Sequence, residues 1–118
     1  MRDHTKLKAF ELADALAVDV YRATRSFPRV EQFALTTQMR KAAVSIPSNI
    51  VEGCARETEA DYLHFLDIAY GSARELQYQL SLALRLEYLD PSGHAALDSA
   101  CTETCKVLNG LIRSLRRA

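Results

Sequence analysis

The chain has 118 residues, 48% of them hydrophobic and 25% charged, which excludes disordered, fibrous and linker-like classes and fits one compact domain spanning residues 1–118. Four glycines and three prolines are too few for collagen-like or low-complexity sequence, and a chain of this size buries roughly two thirds of its extended surface without metal or disulfide staples. Fifteen Lys/Arg against fifteen Asp/Glu give zero net charge, so only a local patch, not a global field, can draw nucleic acid or membrane.

No run of 18 apolar residues exists, and the charged start of the chain does not lead into a signal-peptide segment, so a soluble cytoplasmic protein is expected. Cys54, Cys101 and Cys105 are an odd set in such a chain and are expected as reduced thiols.

Helical periodicity dominates in chain order. Phe10, Ala13, Ala17, Val20, Thr24 and Phe27 follow at steps of three and four, predicting a first helix from about Lys6 to Arg25 that breaks at Phe27-Pro28-Arg29. A second helix begins near Val30 or Glu31 and carries Leu35, Met39, Ala42, Ile46 and Ile50. It ends at Gly53, expected as the left-handed residue of a C-terminal cap. Pro47 lies inside that pattern, frees the carbonyl of Ala43 and predicts a kink, with Ser45, Ser48 and Asn49 able to satisfy the loosened backbone. The alternative is two shorter helices separated by a turn.

Thr58 followed by Glu59 and Asp61 is a capping signature that opens a third helix over about 58–88, with Tyr62, Leu66, Ala69, Ala73, Leu76, Leu80 and Ala83 as its seam. Asp90-Pro91 supplies a cap and first-turn proline, or a turn leading to a cap at Ser92. A fourth helix follows over about 92–116, bearing Leu97, Cys101, Thr104, Leu108, Leu111 and Leu115. Four amphipathic helices with short connections predict an all-α, up-down-up-down antiparallel four-helix bundle.

The third helix has more apolar circumference than a bundle seam needs. Leu63, Tyr70 and Tyr88 flank the seam on one side and Ile68, Leu82 and Leu86 on the other, which marks these six as a candidate interface between copies of the chain. Charge is also segregated: residues 1–50 sum to +3, 51–105 to −7 and 106–118 to +4. Complementary faces on one subunit favour a head-to-tail contact that closes into a ring, although a two-fold dimer also satisfies the pattern.

The bundle topology places the start of the first helix beside the end of the fourth, which brings Arg2, Lys6 and Lys8 to the end that holds Arg113, Arg116 and Arg117. Arg22, Arg25 and Arg29 form a second basic group at the opposite end. Such groups suit phosphates; the competing account is dipole complementarity and salt bridging to the acidic corner at Glu52, Glu57, Glu59 and Asp61. Cys101 and Cys105 lie one turn apart with His64, His94 or Cys54 as conceivable further metal ligands, yet C-x-x-x-C without a second pair is more often core. No phosphate loop, nucleophile elbow, dinucleotide fingerprint or inward Glu-x-x-His pair occurs, so no enzyme activity, cofactor or metal is expected.

The segment from Gln38 to Gly53, with Ser45-Ile46-Pro47-Ser48-Asn49-Ile50 at its centre, resembles the signature of the bacterial four-helix-bundle proteins associated with intervening sequences in 23S ribosomal RNA genes. Phe27-Pro28, Asp61-Tyr62, Phe65-Leu66, Ile68-Ala69, Gly71-Ser72, Glu75-Leu76 and Gln79-Leu80 extend the match over nearly the whole chain. The resemblance implies a homo-oligomeric ring, a pentamer, related to the accessory protein of diversity-generating retroelements, which works beside a reverse transcriptase and engages nucleic acid through basic surface. It brings no catalytic residues. Ser45, Pro47, Ser48, Asn49, Gly53 and Gly71 then stand as structural motif residues, with Gly71 a close-packing point. The expected partners are further copies of the chain, ribosomal RNA or another structured nucleic acid, or a protein, and no membrane; a protein-only scaffold is the alternative.

Overall fold

The computed structural model describes residues 2–117, and among them the elements are helical throughout. They are α1 (Lys8–Thr24), α2 (Leu35–Cys54), α3 (Glu59–Arg85) and α4 (Pro91–Arg117), with 3₁₀ turns at His4–Lys6 and Arg29–Glu31. Cross-links fix their directions. Arg40, early in α2, donates to Thr24 at the end of α1; Gly53, late in α2, lies against Tyr62 and Phe65 at the start of α3; Asp67, early in α3, pairs with Arg116 at the end of α4. With α4 also packed on α1, the result is an antiparallel four-helix bundle of 44 × 23 × 19 Å.

Each helix buries one stripe at steps of three and four: Ala9, Ala13, Leu16 and Val20; Met39, Ala43, Ile46 and Ile50; Leu66, Ala69, Ala73, Leu76 and Leu80; Leu97, Cys101, Leu108 and Ile112. Alanines from α1, α2 and α3 alternate with leucine and isoleucine along these stripes. The buried hydroxyls of Thr24 and Thr104 donate back to the carbonyls of Val20 and Ala100, each at 2.8 Å, and so cost little to bury.

The helix boundaries follow local chemistry. Thr58 Oγ1 accepts the amide of Asp61 at 3.1 Å and starts α3. Asp90 Oδ1 accepts the amide of Gly93 at 2.6 Å, and Pro91 occupies the first position of α4, so the cap is Asp90 and not Ser92. α3 stops earlier than the apolar pattern implies. Tyr88 donates its amide to the Ala83 carbonyl and Glu87 to that of Leu84, both at 2.9 Å, with Glu87 itself at φ 63: a Schellman stop made without glycine.

Two expectations at α2 are corrected. The helix begins at Leu35, because Arg29–Glu31 tightens into a 3₁₀ turn and the Glu31 carboxylate accepts both the Leu35 amide (3.2 Å) and the Tyr88 hydroxyl (2.7 Å). Gly53 is not a left-handed cap. It lies within α2, no described glycine has positive φ, and a Cβ there would stand 3.0 Å from Phe65 Cβ and 3.2 Å from the Tyr62 carbonyl. α2 runs unbroken through buried Pro47, where Asn49 Nδ2 donates to the Ser45 carbonyl at 2.7 Å and to Ser45 Oγ at 2.9 Å. Ser45 Oγ also shares a 2.8 Å hydrogen bond with Ser72, tying this turn to α3, while Ser48 is exposed.

Candidate interaction surfaces

The six apolar residues flanking the α3 seam separate into two groups. Leu63, Tyr70 and Tyr88 are half-buried at the margin of the subunit's own core. Leu82 is half-buried, and Ile68 and Leu86 remain 39% and 46% exposed. The unshielded apolar arc of α3 is thus narrower than a helical wheel implies: Tyr70 borders the α3/α4 groove, and Tyr88, beyond the end of α3, lies against Phe27 and donates to Glu31. Further apolar surface, unmarked by the wheel of α3, lies between α1 and α2: Val18, Tyr21 and Val44 are exposed and line shallow grooves there with Arg40, Lys41, Arg22 and Arg25. Exposed apolar side chains therefore stand in two places, the α1/α2 grooves, which are rimmed by basic residues, and α3, which lies in the acidic part of the chain.

The basic groups fall at opposite ends of the bundle, as the topology dictates. At the end where α1 starts, Lys8 pairs with Glu11 at 3.6 Å and Arg116 pairs with Asp67 across the α3/α4 seam; Lys6, Arg113 and Arg117 are exposed. Arg2 lies over the Tyr62 ring at 4.0 Å, and its amide donates to the Cys54 carbonyl at 3.0 Å. Arg56, which no pattern in the sequence singled out, covers the Phe65 ring at 4.8 Å and pairs with Glu52. At the other end Arg22 approaches Asp19 at 4.0 Å, whereas Arg25 and Arg29 border a cleft with Arg40. Arg40 was also missed, because its role depends on α1: Nε donates to Thr24 Oγ1 at 2.8 Å and the guanidinium lies 4.6 Å from the Tyr21 ring centre.

The cysteines are core residues. Cys101 donates to the Ala73 carbonyl at 3.3 Å, and the neighbouring Cys105 together with burial pushes its thiol up. The Cys101 thiol and, more weakly, the Arg74 guanidinium draw Cys105 down to about 7 against the effect of burial. Among the described residues no three His, Cys, Asp or Glu side chains gather in a metal-holding group. His64 is exposed, edge-on to Phe65 at 5.5 Å, and His94 is half-buried at the start of α4. Gly71 is corrected: it is exposed, and a Cβ there would meet nothing within 4 Å, so it is no close-packing point within the subunit. No described helix is long and apolar enough to cross a membrane.

The family model described as 23S rRNA-intervening sequence protein matches residues 5–110. Among solved structures, the chain is similar to a crystal structure from Bacteroides thetaiotaomicron described as a protein of unknown function from the S23 ribosomal protein family. That protein is 26% identical, with 88% of this chain and 97% of that chain covered at a TM-score of 0.80. No curated protein matches significantly.

Proposed function

Because the chain belongs to the 23S rRNA-intervening sequence protein family, we propose that it is a ring-forming, non-enzymatic helical bundle that acts as an accessory protein beside ribosomal or other structured RNA in the cytoplasm. The observation that carries the assembly is the pair of uncovered apolar patches: Val18, Tyr21 and Val44 on the α1/α2 side, Ile68 and Leu86 on α3. An apolar patch rimmed by Arg22 and Lys41 and a second patch in an acidic helix suit a heterologous contact, and such contacts close into rings when the rotation permits. A pentamer is the ring size that the family resemblance implies. The arginines at both bundle ends then recur around the ring and present phosphate-binding charge several times over.

Light scattering tests the assembly: a mass near five times 13.2 kDa is expected, Val44→Asp and Ile68→Asp should each dissociate it, and a monomer at micromolar concentration overturns it. RNA contact is read by salt-dependent binding of structured ribosomal RNA fragments. Charge reversal at Arg113 and Arg117 should lower affinity uniformly across sequences and flatten the salt dependence. The pairing of Arg116 with Asp67 and of Lys8 with Glu11 favours the alternative of a protein-only scaffold, since those cations are already partly compensated. Absence of salt-dependent RNA binding would decide for it.

A further inference from the structure

Between the end of α1, the 28–34 connection and the start of α2 lies a cleft of about 310 Å³ whose lining is mostly polar. Arg25, Arg29 and Arg40 border it together with Thr24, Gln32 and Thr36, and no carboxylate lines it. None of the three guanidiniums forms an ion pair with a described residue. The one nearby acid of the connection, Glu31, is turned away to the Leu35 amide and the Tyr88 hydroxyl.

Three like charges around one concavity repel one another unless an anion enters, and the guanidinium fork matches a phosphate in geometry as well as charge. Arg40 is held at the cleft with Nη1 left to donate to such an anion. Thr24 Oγ1 fixes its Nε at 2.8 Å, the Tyr21 carbonyl accepts from Nη2 at 3.3 Å, and the Tyr21 ring backs the guanidinium. Thr36 sits in the first turn of α2, so the positive end of a 20-residue helix adds to the field.

The same connection exposes its two large apolar side chains almost completely. Val30 follows Arg29 and is 82% exposed; Phe33 follows Gln32 and is 88% exposed. An exposed aromatic ring one residue along the chain from the lining of an arginine cleft offers the two elements with which proteins hold single strands, one group taking the backbone and the other a base face. An acidic peptide would use the arginines and leave the ring idle.

We propose that this cleft is a single-stranded RNA site, in which Arg25, Arg29 and Arg40 take successive backbone phosphates and Phe33 stacks on an adjoining nucleobase. The proposal rests on the RNA reading above and supplies a specific site for it. Base identity is not read there, because every base has a face to stack and the arginines address only the backbone.

The test is fluorescence anisotropy with a labelled oligouridylate of roughly ten nucleotides, the scale of a small single-strand site. Arg29→Gln and Arg25→Gln, both at exposed positions that leave the core untouched, should each weaken binding about tenfold and lower the slope of log affinity against log salt by about 0.7 for each phosphate no longer neutralised. Phe33→Ala should weaken binding about tenfold with the salt slope unchanged, since stacking releases no counterion. Arg40→Lys, which keeps the charge and loses the two hydrogen bonds that fix the guanidinium, should also weaken it. Unchanged affinity in Arg29→Gln and Phe33→Ala overturns the proposal, as does an oligoglutamate that competes as well as the RNA. If structured ribosomal RNA still binds while these variants leave it untouched and the oligouridylate does not bind, the cleft proposal alone fails. If neither RNA binds, both it and the RNA reading fail.

Discussion

Both ends of the bundle are rich in arginine, and they treat it in opposite ways. Where α2 hands over to α3, Arg2 and Arg56 lie on the rings of Tyr62 and Phe65, Arg56 pairs with Glu52, and Arg116 pairs with Asp67. Where α1 hands over to α2, Arg25, Arg29 and Arg40 share a cleft without a carboxylate, and Phe33 stands in solvent. At the first end Arg2 and Arg56 seal a hydrophobic corner while Lys6, Arg113 and Arg117 stay exposed; at the second the cleft arginines have no carboxylate to pair with. Counting charges along the chain does not separate the two, because the partners that neutralise one group come from a different helix.

The largest effect that sharpens this contrast is expected at the sealed end. Tyr62 is fully buried beneath Arg2 and against Gly53, so Tyr62→Ala should cost about 3–5 kcal/mol in urea unfolding. Tyr21→Ala, which removes an exposed ring under Arg40, should cost no more than about 1 kcal/mol. Equal costs would break the distinction between the two ends.

The same ring links stability to alkaline pH. Burial pushes the Tyr62 phenol from 10.0 up to about 12, with Cys54 alongside adding to the rise. A phenol that holds its proton more tightly in the folded state contributes stability that is complete below pH 10 and is lost as pH rises towards about 12. The wild type should therefore lose up to about 2.5 kcal/mol across that window relative to Tyr62→Phe, read as diverging melting temperatures. Parallel curves for the two proteins would refute it.

Two glycines of the family-like motif give the next contrast. Gly53→Ala inserts a Cβ 3.0 Å from Phe65 Cβ, attached directly to backbone and unable to swing away, so a net loss of about 1–2 kcal/mol is expected despite the better helix former. Gly71→Ala meets nothing within the subunit and should stabilise the monomeric fold by about 0.5–1 kcal/mol. Glu87→Gly, at the open end, should stabilise by about 1 kcal/mol, since Glu87 holds φ 63 where glycine has no Cβ penalty.

These positions also show what was legible in the sequence. Most of the seam positions, the Thr58 cap and the Asp90-Pro91 start declared themselves because each depends on residues within one or two turns, although Phe10, Leu35, Leu111 and Leu115 are only half-buried and Leu16 and Ile112 are buried in addition. Gly53 did not, since glycine at a helix end and glycine under a crossing helix look the same until Tyr62 and Phe65 are placed beside it. The left-handed stop was carried by Glu87, a residue type with no preference for it, and so the apolar pattern overran the true end of α3 at Arg85. Lys6, Lys8, Arg113, Arg116 and Arg117 were recognisable as basic positions, whereas Arg40 and Arg56 gained meaning only from Thr24, Tyr21 and Phe65 on other helices.

The smallest expected effect bears directly on whether the first end is sealed by charge or by packing. Arg116 and Asp67 are about half exposed as side chains, so their pair lies in the range where Coulomb attraction, solvent screening and side-chain entropy nearly cancel. Asp67→Asn should cost less than about 1 kcal/mol, and the cost should fade towards zero as salt is raised to about 1 M, where the screening length contracts to about 3 Å. The Tyr62→Ala penalty should persist at that salt, because it comes from forfeited apolar burial and a residual cavity. A salt-independent loss in Asp67→Asn would mean that Asp67 supports the seam by packing, and the division between a sealed and an open end would then rest on shape rather than on charge.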